Sequence, residues 1–165
     1  HPHCRRQRQM CIRDRDSHMD IEEVIKASKD LGEWAHIATV SGSGTPYVTP
    51  VHPCWEGETL WIMVGVNSVK SKNIADSPSV SLHWQVSEET SFDSLIIWGQ
   101  AKLFTNIETK TRLWSGVFDY DLNVFAPHGP ENSPETGFIS VKPTKAVLLK
   151  EMGIGARLIW RSRSG

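Results

Sequence analysis

The stretch VNSVKSKNIADSPSVSLHW, residues 66–84, decides the fold of this chain. It places Ser68, Lys70 and Lys72 at the start of a short helical pattern over residues 68–77, stops at Pro78 and resumes as an alternating strand over residues 80–86. The free backbone N–H groups and the positive dipole end at a helix N-terminus favour an anion, and Lys70 adds a charge. The plainer interpretation is that Ser68 only caps the helix and that both lysines face solvent.

Runs rich in β-forming residues flank this stretch on both sides. They predict strands at residues 34–40, 47–55, 60–66, 80–86, 95–104 and 138–150, the last interrupted at Pro143. Helical patterns also cover residues 19–31 and 106–118, and Gly99 is predicted to mark a bulge or a close approach. Six or seven sequential antiparallel strands close best as a small barrel, because closure removes exposed edges. The predicted fold class is therefore mainly β, with short flanking helices.

The 165 residues predict one domain preceded by an unrelated leader. Residues 1–18, HPHCRRQRQMCIRDRDSH, lack apolar periodicity and are predicted to be a non-native or disordered leader, with a single domain at residues 19–162. The leader holds five of the 18 basic and two of the 19 acidic residues, so the rest of the chain has 13 and 17 and a net charge near −4. This mildly acidic balance argues against nucleic acid as a partner.

Other classes of protein and site are also disfavoured. No apolar run approaches the ~20 residues of a membrane span, and the leader lacks the apolar centre of a signal peptide, so we expect a cytoplasmic protein. After the leader Cys54 is the single cysteine, which leaves no disulfide framework and no zinc-type cysteine spacing. His36, His83 and His128 are far apart in the sequence, so no metal site is predicted.

The order of elements resembles a known superfamily. The sequence runs through strand WAHIATVS, turn SGSGT, strand PYVTPVHPCW, turn EGET and strand LWIMVGV into NSVKSKNIADSPSVSL. This succession resembles the FMN-binding split barrels related to pyridoxamine 5'-phosphate oxidase, in particular the general stress protein 26 branch. The family's phosphate segment reads Ser-Arg-Lys, a helix, Asn-Pro and an apolar strand; here it reads Ser68-Val69-Lys70, a helix, Ser77-Pro78 and residues 80–82. The resemblance covers residues 19 to about 160.

The resemblance implies a six- to seven-stranded antiparallel split barrel that forms a homodimer, with FMN at the subunit interface. By position, Ser68 and Lys70 would hold the FMN phosphate, with Val69 between them. The strand residues implied beside the cofactor are Thr49, Pro50 and Val51 at the edge of the isoalloxazine ring, and Met63 and Val64 under the ring and the phosphate arm.

Two departures from the family pattern limit the functional prediction. Val69 replaces the family's Arg, which removes a bidentate phosphate contact. The side chains with which true pyridoxamine phosphate oxidases hold their substrate have no counterpart here. We therefore predict an FMN-dependent oxidoreductase that acts on an unidentified small molecule, with catalytic residues unassigned. The alternatives are a deazaflavin-dependent reductase and a non-catalytic, stress-linked protein that binds flavin or haem.

Two further features have both a functional and a structural interpretation. Residues 119–135 form a long loop, in which Tyr120, Phe125 and His128 would either cover the cofactor or pack a dimer. His52, between two prolines, would either hydrogen-bond the ring or lie at the edge of the core. Five tryptophans are candidates for ring stacking, or more commonly for core and interface packing: Trp55, Trp61, Trp84, Trp98 and Trp114.

Overall fold

The computed structural model describes residues 16–163, and the structural statements below refer to this part of the chain. Three α-helices occur in it: α1 (Ile21–Leu31), α2 (Val69–Asp76) and α3 (Ile107–Trp114). Its nine strands are β1 (Asp16–His18), β2 (Ala35–Val40), β3 (Pro46–Val51), β4 (Cys54–Glu56), β5 (Thr59–Gly65), β6 (Ser79–Trp84), β7 (Ser94–Phe104), β8 (Thr136–Leu149) and β9 (Arg157–Arg161).

The strands form one sheet that closes into a split barrel. The pairing order is β1-β9-β8-β7-β6-β2-β3, and β5 joins β8 to β4. Only His52 and Pro53 separate β3 from β4, so the chain itself links the two ends of the circuit. All pairs are antiparallel except β1 with β9. The predicted mainly β split barrel is confirmed.

The strand count exceeds the predicted six or seven for local reasons. The run predicted at residues 47–55 is two strands, because His52 and Pro53 interrupt its ladder. At the two ends, β1 and β9 pair through Asp16–Arg157, Ser17–Leu158 and His18–Ile159. The last three residues of the predicted leader therefore contact the barrel, and residues 1–15 lie outside the described part.

The longest strand, β8, holds the barrel together. It pairs with β5, β7 and β9, and its register against β7 shifts at Trp98/Gly99, opposite Pro143. The predicted close approach at Gly99 is confirmed, since a Cβ there would lie 2.6 Å from the carbonyl oxygen of Lys142. The predicted interruption at Pro143 is wrong. The strand continues to Leu149 because the proline, which has no N–H to donate, sits where the ladder is already irregular.

Two apolar clusters pack on either side of the sheet. The main core fills the barrel and includes Ile37, Leu82 and Ile97, each 0% exposed. The second cluster, centred on Leu113 and Phe138, packs α3 and part of residues 115–135, hereafter the 115–135 segment, against the sheet. The Lys110 Nζ donates to the carbonyl oxygen of Ser133 at 2.6 Å and anchors the far end of this segment.

Helix α1 begins at a capping box. The backbone N–H of Glu23 donates to Asp20 Oδ1, and the backbone N–H of Asp20 donates to Glu23 Oε2, both at 2.8 Å. Its buried Val24 joins the main core. None of the described helices has the length and apolar character that a bilayer crossing requires.

Candidate functional site

The stretch after β5 folds into a tight turn that leads into α2. The Ser68 N–H donates to the carbonyl oxygen of Gly65 at 3.0 Å, and the Val66 N–H donates to the carbonyl oxygen of Glu135 at 2.9 Å. Ser68 is the N-cap of α2, and its Oγ accepts from the Ser71 N–H at 3.3 Å. The helix is tied to the barrel by Asn73, whose Nδ2 donates to Thr39 Oγ1 at 3.0 Å. The first turn of α2 therefore has a fixed position at the end of β5.

A groove of about 560 Å3 opens beside this turn. Its walls come from the ends of β3 and β5, from the first turn of α2 and from the 115–135 segment. Its lining residues are Glu33, Trp34, Pro50, Val51, His52, Met63, Val64, Gly65, Lys70, Tyr120, Phe125, Glu135 and Thr136. Ligand sites of drug-sized molecules commonly measure ~300–1,000 Å3. The groove has the volume of a small-molecule site.

Five of the eight residues that the resemblance implied line this groove together. They are Pro50, Val51, Met63, Val64 and Lys70, which come from three separate elements. The other three, Thr49, Ser68 and Val69, do not line it. Val69 points outward and is 48% exposed, whereas the hydroxyl of Thr49 is buried with no hydrogen-bond partner in the described residues.

Lys70 is the cation of the groove. Its side chain is half-buried, and no carboxylate oxygen of residues 16–163 lies within 4.0 Å of its Nζ. Burial lowers the pKa of this ammonium, because removal of water disfavours the charged form. An anion in the groove would compensate for the water that the Lys70 ammonium has lost. Lys72, two residues further along the helix, is exposed to solvent.

The outer wall of the groove is aromatic. The ring centroids are 5.4 Å apart for Trp34 and His52, 4.6 Å for His52 and Tyr120, and 5.8 Å for Tyr120 and Phe125. Trp34 is 53% exposed and Phe125 is 69% exposed, so both present ring surface to solvent. Such exposed apolar surface around a cavity is typical of a binding site.

The five tryptophans predicted either to stack on a ring or to pack in the core and interface lie outside this wall. None of Trp55, Trp61, Trp84, Trp98 and Trp114 lines the groove, and Trp84 and Trp61 are buried. Trp34, which does line it, is the first residue of the strand predicted at residues 34–40. The available signal was its position directly before β2, the strand that pairs with β3. His128 of the 115–135 segment is also absent from the lining.

His52 separates the groove from a second cavity of about 400 Å3, which it also lines. Its Nε2 lies 2.9 Å from Asp119 Oδ1, although the two groups are not aligned for a hydrogen bond. The thiol of Cys54 donates to the same oxygen at 3.3 Å. Burial, with a smaller contribution from Asp119, raises the pKa of Cys54 to about 11, and burial also raises the pKa of Tyr120. Neither group is an ionised nucleophile at neutral pH.

Solved structures of other proteins share this fold. No curated protein sequence matches the chain significantly. The FMN-binding, pyridoxamine 5'-phosphate oxidase-related protein of Nostoc punctiforme PCC 73102 has a TM-score of 0.67 and 16% identity, over 87% of this chain and 89% of that one. A Clostridium acetobutylicum protein related to general stress protein 26 has a TM-score of 0.68 and 14% identity, over 87% of this chain and 96% of that one.

A solved structure named as an F420 reductase shares the fold more distantly. Its TM-score is 0.51 at 22% identity, over 68% of this chain and 87% of that one. At these identities the structural neighbours show the fold alone. The sequence model described as pyridoxamine 5'-phosphate oxidase, however, matches residues 21–150, which is most of the chain. This protein therefore belongs to the pyridoxamine 5'-phosphate oxidase family.

Proposed function

We propose that this protein binds FMN in the groove and uses it to oxidise or reduce an unidentified small organic molecule. The observation that carries the proposal is the convergence of Pro50 and Val51, Met63 and Val64, and Lys70 on one cavity. These residues come from β3, β5 and α2, and sequence resemblance implied them independently of the structure. The family membership of the chain supports the same assignment.

The residues of the groove fit the two chemically different ends of FMN. Lys70 is a half-buried ammonium with no ion-pair partner in the described residues, which suits a phosphate. The backbone N–H groups of the first turn of α2 add the helix-terminus field, and Ser68 and Val69 belong to this turn. The apolar side chains of Val51, Met63 and Val64 suit a planar aromatic ring.

The contributions of the implied residues differ. Lys70 would hold the phosphate by charge, while the Ser68 hydroxyl is already engaged by the Ser71 N–H and would act mainly by fixing the helix start. Pro50 and Val51 would border one edge of the ring, and Met63 and Val64 would support its face. The hydroxyl of Thr49 is buried, so its part in ring recognition would come from its backbone.

Bound FMN would supply reversible hydride or electron transfer at its N5 atom. The chain's own residues would orient the ring and limit the access of water, with Tyr120 and Phe125 of the 115–135 segment forming one wall. His52 is not assigned as a proton donor, because its Nε2 is buried, 2.9 Å from Asp119 Oδ1. The substrate would approach over the exposed aromatic wall formed by Trp34 and Phe125.

The active form would be a homodimer in the cytoplasm. Strand β3 is the last strand of the sheet path and exposes Val48 (59%) and Tyr47 (37%) close to the groove. An apolar strand edge of this kind is commonly covered by a partner. Light scattering after size exclusion should give twice the 18.6 kDa chain mass, and a monomer that still binds FMN would contradict this part of the proposal.

The test is a titration of the purified protein with FMN, followed by flavin fluorescence and absorption. We expect saturable binding of one FMN per chain, followed by turnover with a reduced nicotinamide donor and a panel of electron acceptors. Absence of binding would overturn the FMN assignment. Tight binding without turnover would instead favour the non-catalytic, flavin-storing role.

The deazaflavin coenzyme is the second candidate for the same groove. The observation that favours it is the exposed Val69 in the position of the family's Arg, since the phosphate site then has a single cation. Parallel titrations with FMN and the deazaflavin coenzyme distinguish the two, because each has its own absorption spectrum. A change in the spectrum of added haem would indicate the haem-binding alternative.

A further inference from the structure

Two side chains that flank Pro53 meet a third from far along the chain behind the groove. One imidazole nitrogen of His52, Cys54 Sγ and a carboxylate oxygen of Asp119 all lie within 4.8 Å of one another. Asp119 Oδ1 is 2.9 Å from the imidazole nitrogen and 3.3 Å from the sulfur. We infer that His52, Cys54 and Asp119 form a binding site for a divalent metal ion of the zinc class.

The set of donor atoms matches the chemistry of zinc. Zn2+ accepts imidazole nitrogen, thiolate sulfur and carboxylate oxygen at ~2.0–2.3 Å, in tetrahedral geometry. Such bonds place ligand atoms about 3.3 to 3.7 Å apart. The two distances from Asp119 Oδ1 are therefore within about 0.5 Å of those that the ion requires, and the imidazole–sulfur separation, at most 4.8 Å, has to shorten by roughly 1 Å at most. The thiolate disfavours Mg2+ and Ca2+, which prefer oxygen ligands.

The environment of His52 points to a missing ligand. Its Nε2 is inaccessible to solvent and has no aligned hydrogen-bond partner in the described residues, although its side chain as a whole retains 14% exposure. Cys54 is 7% exposed. A buried polar atom without a partner is costly, and a metal ion would satisfy it while binding the sulfur beside it.

The backbone holds two of the ligands rigidly and leaves the third adjustable. His52 and Cys54 lie on either side of Pro53: His52 directly follows β3, which pairs with β2, and Cys54 begins β4, which pairs with β5. Asp119 belongs to the 115–135 segment, and its side chain is 59% exposed. A rigid pair with an adjustable third ligand can close on an ion without disturbing the barrel.

The second cavity supplies room for a fourth ligand. Its volume is about 400 Å3, and it is lined by all three side chains and by Glu33. Three protein ligands and an accessible fourth position suit an exchangeable ion with a bound water. On binding, the thiol proton of Cys54 is released to the buffer, and the two negative ligands neutralise the ion. The metal would then tie the 115–135 segment to the barrel, next to Tyr120 of the groove wall.

A cysteine nucleophile is the competing interpretation of the same residues. A Cys-His catalytic pair requires the imidazole to approach the sulfur and accept its proton. Here the thiol donates to Asp119 Oδ1, and the imidazole nitrogen lies 2.9 Å from the same oxygen, so the thiol proton is directed to the carboxylate and not to the imidazole. This shared convergence on one oxygen favours ligation over nucleophilic activation.

Titration with Co2+ tests the inference, because thiolate ligation gives an intense ligand-to-metal absorption in the near ultraviolet. The full chain is used with Cys4→Ser and Cys11→Ser, so that Cys54 is the remaining cysteine of the three. We expect one Co2+ per chain with a tetrahedral visible spectrum, and displacement by one equivalent of Zn2+. Absence of the thiolate band at millimolar Co2+ would overturn the inference.

Two variants locate the ion. Cys54→Ser should abolish the thiolate band, and Asp119→Asn should weaken Co2+ binding at least about tenfold. The control Asp121→Asn, also exposed and in the same segment, should bind like the parent. Thermal unfolding of each apoprotein verifies the fold. Equal affinity of Asp119→Asn and Asp121→Asn, with both folded, would show that Asp119 is not a ligand and refute the three-residue site. FMN titration is independent of this result.

Discussion

Lys70→Ala tests the proposed phosphate anchor most directly. The side chain is the cation of the groove, and no carboxylate in the described residues has to be displaced before it binds an anion. A hydrogen bond to a charged group contributes about 1.5 to 3 kcal/mol. Since about 1.4 kcal/mol corresponds to tenfold, the Kd for FMN should rise roughly ten- to hundred-fold.

Lys72→Ala is the matched control for this change. It removes the same charge from the same helix, but from an exposed position outside the groove lining. Its effect on FMN affinity should stay within about twofold, as expected for a screened surface charge. Lys70→Arg, which retains a cation, should recover most of the affinity.

The assay is a fluorescence titration of FMN at low and high salt. Wild-type affinity should fall with salt, and Lys70→Ala should depend on salt less because one phosphate contact is missing. The melting temperature of the apoprotein should not fall, since a half-buried ammonium without a counter-ion contributes little stability. Equal Kd values for wild type and Lys70→Ala, or equal losses in Lys70→Ala and Lys72→Ala, would refute the assignment.

Three further outcomes are expected. Val69→Arg, at the exposed position where the family has Arg, should tighten FMN binding about tenfold in the same titration, and unchanged affinity would place the phosphate elsewhere. Gly99→Ala should lower the free energy of unfolding by about 1 to 3 kcal/mol, because its Cβ would lie 2.6 Å from the Lys142 carbonyl oxygen; an unchanged Tm would contradict this. Burial alone would raise the pKa of Asp93, but hydrogen bonds from Lys150 (2.6 Å) and from a backbone N–H outweigh burial, and the net effect is a lowered pKa. The ionised Asp93 therefore stabilises the folded state above about pH 3.8, and this contribution is lost as the carboxylate is protonated in acid. Urea unfolding should show Asp93→Asn less stable by up to about 1 kcal/mol at pH 7, with a difference that shrinks below pH 3.8; a difference that does not depend on pH would argue against the pair.

Local patterns predicted the barrel well because each strand carries its own signal. The alternation in residues 34–40 and 80–86 corresponds to β2 and β6, whose side chains alternate between core and surface. Gly99 also marked its bulge correctly, since a missing Cβ at a strand centre indicates close approach. The prediction that Pro143 interrupts the strand failed because the sheet accommodates this proline at a register shift against the neighbouring strand, and the sequence around Pro143 does not encode that shift.

The candidate site was predictable only where the family pattern reached it. Residues 49–51, 63–64 and 68–70 follow from the order of elements, and five of these eight positions line the groove. The pairing of Cys54 with Asp119 could not be predicted, because 65 positions separate them and neither lies in a recognisable motif. The exposure of Trp34 is not predictable for a related reason, since it depends on where β2 begins and where its partner β3 ends.

The placement of β8 late in the chain also constrains how the molecule is made. This strand pairs with β5, β7 and β9, so until residues 136–149 have left the ribosome β5 lacks its longest partner and β7 has one open edge. The contacts that complete the sheet join residues far apart in the sequence, which is typical of slow barrel closure. Thr136, at the start of β8, also lines the groove. The groove therefore lacks part of its lining until residue 136 has been synthesised, so a ligand that requires the complete groove cannot guide the earlier steps of synthesis.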